Sequence, residues 1–90
     1  MENIQLIKGT FTPADARNVL LGLINYKINF HHMKKFSFEE RYGKKDLPTD
    51  ARLLELENSK RVIIAIIDEA GEKDKKLKME AVITIKVEES

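Results

Sequence analysis

The chain has 90 residues, 42% of them hydrophobic, which predicts a single domain over 1–90 with one small core. Its 16 basic and 15 acidic residues leave a net charge of +1, which excludes a strong overall field toward nucleic acid or membrane. The absence of cysteine excludes a disulfide framework and a thiolate metal site.

The sequence also bears on where the protein works. No apolar run approaches the roughly 20 residues that a membrane-spanning helix needs. The start at Met1 lacks the basic and then apolar pattern of a signal peptide. We therefore expect a cytoplasmic protein that does not bind membrane.

The first predicted element is a strand over 3–11, because the segment is rich in β-branched and aromatic residues. Its apolar residues do not keep one alternation: Ile4 and Leu6 share one parity, and Ile7 and Phe11 share the other. This pattern predicts that both faces are partly covered, or that the strand bulges or changes register at Gly9.

A long helix is predicted next, over 13–35. Thr12 is a good N-cap, Pro13 fits the first helical position and Asp15 follows three residues after the cap. Apolar residues then recur at spacings of three and four as far as Met33. After this helix, Ser37 and Glu40 form a capping-box pattern, which predicts a separate short helical turn before the next long helix.

The second long helix is predicted from the cap signals at 46–50 to a C-cap at Gly71. Its apolar residues are expected to form one buried stripe. The stripe contains Leu53, Leu56, Ser59, Val62, Ile63, Ile66, Ile67 and Ala70, and it is widened by Leu54 and Ile64. Two long amphipathic helices joined by about a dozen residues are typical of an antiparallel hairpin.

The last predicted element is a strand over 77–88, where apolar and polar residues alternate. The order strand, helix, helix, strand predicts an α+β fold in which the hairpin packs on a small antiparallel sheet of the N- and C-terminal strands. Because a two-stranded sheet is marginal alone and leaves open edges, we expect a homodimer to complete it.

The segment 27–46 is the most suggestive for function, since it has six basic residues against three acidic ones. It also contains both histidines and one of the two tyrosines. Its candidate residues for binding a protein or nucleic acid are His31, His32, Lys34, Lys35, Arg41, Tyr42, Lys44 and Lys45.

Two alternatives to protein binding follow from this segment. Weak nucleic-acid binding would use these cations with nearby aromatic rings, although Glu39 and Glu40 interrupt the basic patch. A small enzyme or metal site would use His31 or His32 with Glu39 or Glu40. Adjacent helical residues diverge by about 100°, and no metal, phosphate or nucleophile motif is present, so we predict neither cofactor nor metal.

The interpretation that these observations favour is a small non-catalytic protein-interaction or regulatory module. It would act by self-association and by binding a protein partner. The surfaces available for this are the strand edges and the polar segment from His31 to Lys45.

Overall fold

The computed structural model describes residues 1–89, and its four elements follow in the predicted order. They are β1 (Glu2–Phe11), α1 (Pro13–Tyr42), α2 (Leu47–Glu72) and β2 (Leu77–Ile85). The two helices form a hairpin, and β1 pairs with β2 in an antiparallel two-stranded sheet. The predicted α+β fold is therefore confirmed, and both terminal strands pair within one chain.

The strand register explains the mixed parity of β1. The pairing runs from Phe11 opposite Leu77 to Glu2 opposite Ile85, with a register shift between Gln5 and Ile7. This bulge leaves Leu6 without a partner in the ladder. Because side chains alternate along a strand, one extra residue brings Ile4 and Ile7 onto the same face.

Two details of the strands differ from the prediction. Gly9 pairs with Met79 in regular register, so the prediction of a register change at Gly9 is wrong. Its φ of +150° is nevertheless one that side-chain-bearing residues rarely adopt. In addition, β2 ends at Ile85, so the residues 86–88 that were predicted to extend the strand lie outside it.

Helix α1 starts as predicted but is longer. The Thr12 hydroxyl accepts the N–H of Asp15 at 3.1 Å, and Pro13 is the first helical residue. The helix then continues to a left-handed cap at Gly43, where φ is +65°. The predicted end at 35 and the separate turn starting at Ser37 are wrong, because no proline or glycine lies between position 35 and Gly43.

Helix α2 also runs past its predicted end. Its N-cap is Asp46, whose carboxylate accepts the Thr49 N–H at 3.3 Å and the Thr49 hydroxyl at 2.6 Å. The predicted C-cap at Gly71 is wrong, since Gly71 is helical and the cap is Lys73. Only residues 43–46 separate the two helices, so the connection is much shorter than the dozen residues predicted.

The core is small and lies in two places. Ile28, Leu53 and Leu56 are buried between the helices and pack with Ile24. At the end where the strands join the helices, one residue from each of three elements is buried: Ile7 of β1, Ala16 of α1 and Ile67 of α2. The sheet is therefore covered at its base, whereas Ile4, Ile83 and Ile85 near its tip are 41–50% exposed.

Part of the expected apolar stripe of α2 is exposed. Leu54, Val62 and Ile66 are 62%, 58% and 52% exposed, so the prediction that one stripe is buried as a unit is wrong for these residues. Leu23 of α1 is also 42% exposed. These residues are exposed because each helix has only one neighbouring helix, which covers only one of its sides.

The molecule is a thin slab. Its principal extents are 50 × 31 × 15 Å, and its radius of gyration is 16.4 Å, compared with about 12 Å for a compact domain of this length. An extent of 15 Å leaves room for one layer of helices. Neither helix within residues 1–89 combines the length and apolar character needed to cross a membrane.

Candidate functional site

A shallow groove of about 250 Å³ lies at the end of the hairpin that is far from the strands. We call it the cap groove. It is lined by Lys34, Ser37, Phe38, Arg41, Tyr42 and Asp46. The α1 residues are spaced by three and four, so the unbroken helix places them on one side.

The cap groove combines free cations with an aromatic wall. The rings of Phe38 and Tyr42 lie 4.8 Å apart between centroids, at an angle of 49°. Within residues 1–89, Lys34 and Arg41 form no ion pair. The buried Asp46 carboxylate accepts hydrogen bonds from the N–H and the hydroxyl of Thr49. The groove is thus suited to a ligand with an anionic group beside an apolar or aromatic group.

Lys35 differs from Lys34 and Arg41 because it forms an ion pair with α2 across the hairpin. Its Nζ lies 2.6 Å from Oδ1 of Asp50, and both side chains are half-buried. The hydrogen bond to Asp50 raises the pKa of Lys35. Lys35 therefore joins α1 to α2 and does not line the cap groove.

The two histidines face different surroundings. His31 is half-buried, its ring meets Phe30 edge-on at 5.5 Å, and its Nδ1 is buried with no hydrogen-bond partner among residues 1–89. Burial lowers the pKa of His31, and the nearby charges of Lys27, Lys34 and Arg52 lower it further. His32 is exposed. The pair does not form one site.

The alternative metal site would need His31 or His32 to lie together with Glu39 or Glu40. In the described part of the chain, no group of three or more His, Asp or Glu side chains is placed to hold a metal ion. The Glu39 carboxylate instead accepts the N–H of Asp46 at 3.2 Å. Glu40 is exposed, as are Lys44 and Lys45 in the connection beyond Gly43.

Helix α1 carries a second apolar stripe that was not predicted from the sequence. It consists of Val19, Leu23, Tyr26, Phe30 and Met33. The last four of these are 42%, 70%, 53% and 72% exposed. The spacing of four, three, four and three was visible in the sequence, but it was merged there with the stripe that packs on α2.

A second groove, of about 310 Å³, lies where α2 meets β2. Its apolar lining comes from Ile66, Ala70 and Leu77, and its rim carries four lysines: Lys73, Lys75, Lys76 and Lys78. Lys73 pairs with Glu69 at 2.6 Å. Because Ile66 belongs both to this groove and to the exposed side of α2, the apolar surface continues from one to the other.

Comparison with protein-family models, with curated proteins and with solved structures finds no match to this chain.

Proposed function

We propose that the protein is a non-catalytic interaction module that works as a homodimer and offers its cap groove to a second protein. The observation that carries this proposal is the amount of apolar surface that one chain leaves uncovered. Among residues 1–89, 18 large apolar or aromatic side chains are exposed, against six buried hydrophobic residues. Such surface in an isolated chain favours association.

The exposed area is also large for a monomer. A folded monomer of 10.4 kDa exposes about 5,400 Å², whereas this chain exposes 7366 Å². The surplus of about 2,000 Å² per chain amounts to about 4,000 Å² for two chains. Obligate homodimers bury about 2,000–5,000 Å² in total, so the surplus matches what a second copy would cover.

The cap groove supports the second half of the proposal. Lys34 and Arg41 supply positive charge, and Phe38 and Tyr42 supply a partly exposed aromatic surface. A protein segment with an acidic residue next to an apolar one complements this groove in charge and in polarity. We place this activity in the cytoplasm. The chain has no cysteine, so it forms no disulfide that would require an oxidising compartment.

Sedimentation equilibrium at tens of micromolar tests the central claim. We expect a mass of twice the 10.4 kDa of the chain. A monomer at that concentration would refute the proposal, since the apolar surface would then be stable in water without a partner copy.

Nucleic-acid binding is the second candidate, favoured by the contact of Phe38 with Tyr42 beside Lys34 and Arg41. Fluorescence anisotropy with an acidic peptide and with a single-stranded oligonucleotide separates the two. The first proposal predicts that the peptide binds and that Lys34→Glu with Arg41→Glu abolishes binding. Tight oligonucleotide binding that falls steeply with salt would favour the second. Lys75→Glu with Lys76→Glu is the matched control for charge.

A further inference from the structure

The outer edge of β2 is regular and open. Within residues 1–89, β2 pairs only with β1, so its other side has no partner for the backbone N–H and C=O groups. The outer edge of β1 is also open, but the bulge at Leu6 and the φ of +150° at Gly9 interrupt it. A further strand therefore fits the edge of β2 better than the edge of β1.

The strand pattern of β2 continues beyond its pairing with β1. The last pair of the ladder joins Glu2 to Ile85. Apolar and polar residues nevertheless keep alternating through Lys86, Val87 and Glu88. Val87 is 87% exposed, more than any other large apolar side chain in the described part of the chain. This segment is thus suited to a strand, but one chain supplies no neighbour for it.

The charges along β2 and this segment make the strand complementary to itself. The polar side carries, in order, Lys78, Glu80, Val82, Thr84, Lys86 and Glu88. When two copies of the strand run antiparallel about a two-fold axis at Ile83, position 78 faces 88 and position 80 faces 86. Each lysine on this side then faces a glutamate of the other copy.

The neighbouring registers bring like charges together. Moving the axis by one residue toward the helices places Lys78 opposite Lys86 of the other copy. Moving it by one residue the other way places Glu80 opposite Glu88. Like charges directly opposite each other destabilise a pair of strands, so the register centred on Ile83 is favoured.

The apolar side of the strand agrees with the same axis. Ile83 lies on the axis and meets its own counterpart. Ile85, which is 50% exposed in one chain, faces the half-buried Ala81 of the other copy. Val87 faces the half-buried Met79 in the same way. The most exposed part of one strand is therefore covered by the better protected part of the other.

The same register brings the acidic end of the strand to the groove between α2 and β2. Glu88 faces Lys78, which lines that groove, and Glu89 faces Leu77, which belongs to its apolar lining. Both glutamates are exposed in one chain. An acidic strand end is complementary in charge to the lysine rim of the groove.

We propose that β2 of a second copy pairs antiparallel with β2 about an axis at Ile83, which gives a four-stranded sheet in the order β1-β2-β2-β1. This inference rests on the proposed homodimer and specifies its interface. In the dimer the strand continues to Glu88, and the two helical hairpins lie at opposite ends of the sheet. The apolar sides of both copies fall on one face, because a two-fold axis perpendicular to a sheet does not exchange its faces.

A single introduced cysteine tests the register, because the chain has none of its own. In Ile83→Cys the two sulfurs lie directly opposite each other, within reach of a disulfide. In Ile85→Cys they are displaced by four residues, or about 13 Å, which a disulfide cannot span. We expect oxidation by diamide to join two copies of Ile83→Cys, and to leave Ile85→Cys as single chains in denaturing gel electrophoresis.

Ile85→Cys is the matched control, since both positions lie on the apolar side and are 41% and 50% exposed. Chance collisions would therefore cross-link the two variants equally. Cross-linking of Ile85→Cys as strong as that of Ile83→Cys would overturn the inference.

Charge reversal tests the pairs across the strand edge. Within one chain, Lys78 stands opposite the uncharged Thr10, and Glu88 lies beyond the ladder. We expect Lys78→Glu and Glu88→Lys each to raise the dimer Kd by about fivefold at low salt, because the axis repeats each contact. The double variant should restore the Kd of the original chain, which no contact within one chain would explain. Sedimentation equilibrium measures these values.

Lys44→Glu makes the same charge change as Lys78→Glu in the connection between the helices, and it should leave Kd unaltered. A dimer with the same Kd in the original chain and in both single variants would overturn the inference. A double variant that associates more weakly than either single variant would also overturn it. These outcomes leave the proposed homodimer intact, whereas a monomeric original chain would refute the homodimer itself.

Discussion

At the scale of single residues, His31 has a lowered pKa that makes folding depend on pH. Its folded-state pKa lies below the ordinary value of 6.5, first because of burial and then because of Lys27, Lys34 and Arg52. The unfolded chain therefore binds more protons between the two pKa values, and stability falls as pH drops through that window. Above pH 6.5 the histidine is neutral in both the folded and the unfolded chain, so its ionisation no longer destabilises the fold.

We predict that His31→Leu removes this part of the acid sensitivity. The original chain should lose melting temperature on acidification below about pH 6.5, and the variant should lose less. At pH 8 the variant should be at least as stable, because it no longer buries an unpartnered nitrogen. Thermal unfolding followed by circular dichroism at fixed protein concentration measures both effects.

His32→Leu provides the control, since it changes an exposed neighbour in the same helix. It should keep the acid sensitivity of the original chain. Identical pH profiles for His31→Leu and the original chain would show that His31 does not titrate differently on folding.

At the scale of elements, Asp46 links the two helices of the hairpin. Its carboxylate caps α2 through Thr49, and its N–H donates to the Glu39 carboxylate of α1 at 3.2 Å. Both Asp46 and Thr49 are more than 90% buried. Loss of the cap would therefore leave the Thr49 N–H and hydroxyl without their partner.

We predict that Asp46→Ala lowers the free energy of unfolding by about 1–2 kcal/mol, since the N-cap bond is lost in a buried position. Asp46→Asn should recover most of the loss, because its side-chain oxygen can still accept from the Thr49 N–H. Urea unfolding at fixed protein concentration measures the difference. Equal stability of the alanine variant and the original chain would rule out a stabilising cap.

The type and order of the elements could be predicted because their signals are local. Thr12 and Pro13 fix one helix start, and strict alternation identifies β2. The end of α1 could not be predicted as well. The capping pattern at Ser37 competes with a helix that continues, and contacts from outside it, such as Lys35 with Asp50, support the continuous helix.

The candidate site also combines local features, which could be predicted, with contacts between the helices, which could not. The local basic excess indicated the right region, and the structure places Lys34, Arg41 and Tyr42 in one groove. The sequence could not show that Lys35 forms an ion pair with Asp50, because Asp50 belongs to the other helix. It also could not show which of two apolar stripes on α1 faces α2, since that choice depends on long-range packing.

At the scale of the whole molecule, both the sheet and the apolar core are incomplete. Each strand of the two-stranded sheet pairs on one side only, the slab is 15 Å thick, and Ile83 and Ile85 are 41% and 50% exposed. The remaining hydrophobic stabilisation is available only through association. Folding and association of the proposed dimer should therefore be coupled.

We predict on this basis that the melting temperature rises with protein concentration. For a dimer that dissociates as it unfolds, mass action stabilises the folded state as concentration increases. With an unfolding enthalpy of about 0.7 kcal/mol per residue over two chains, a tenfold increase should raise the melting temperature by about 4 °C. Differential scanning calorimetry across a hundredfold concentration range measures this. A melting temperature that stays constant over this range would show that one chain folds without a partner.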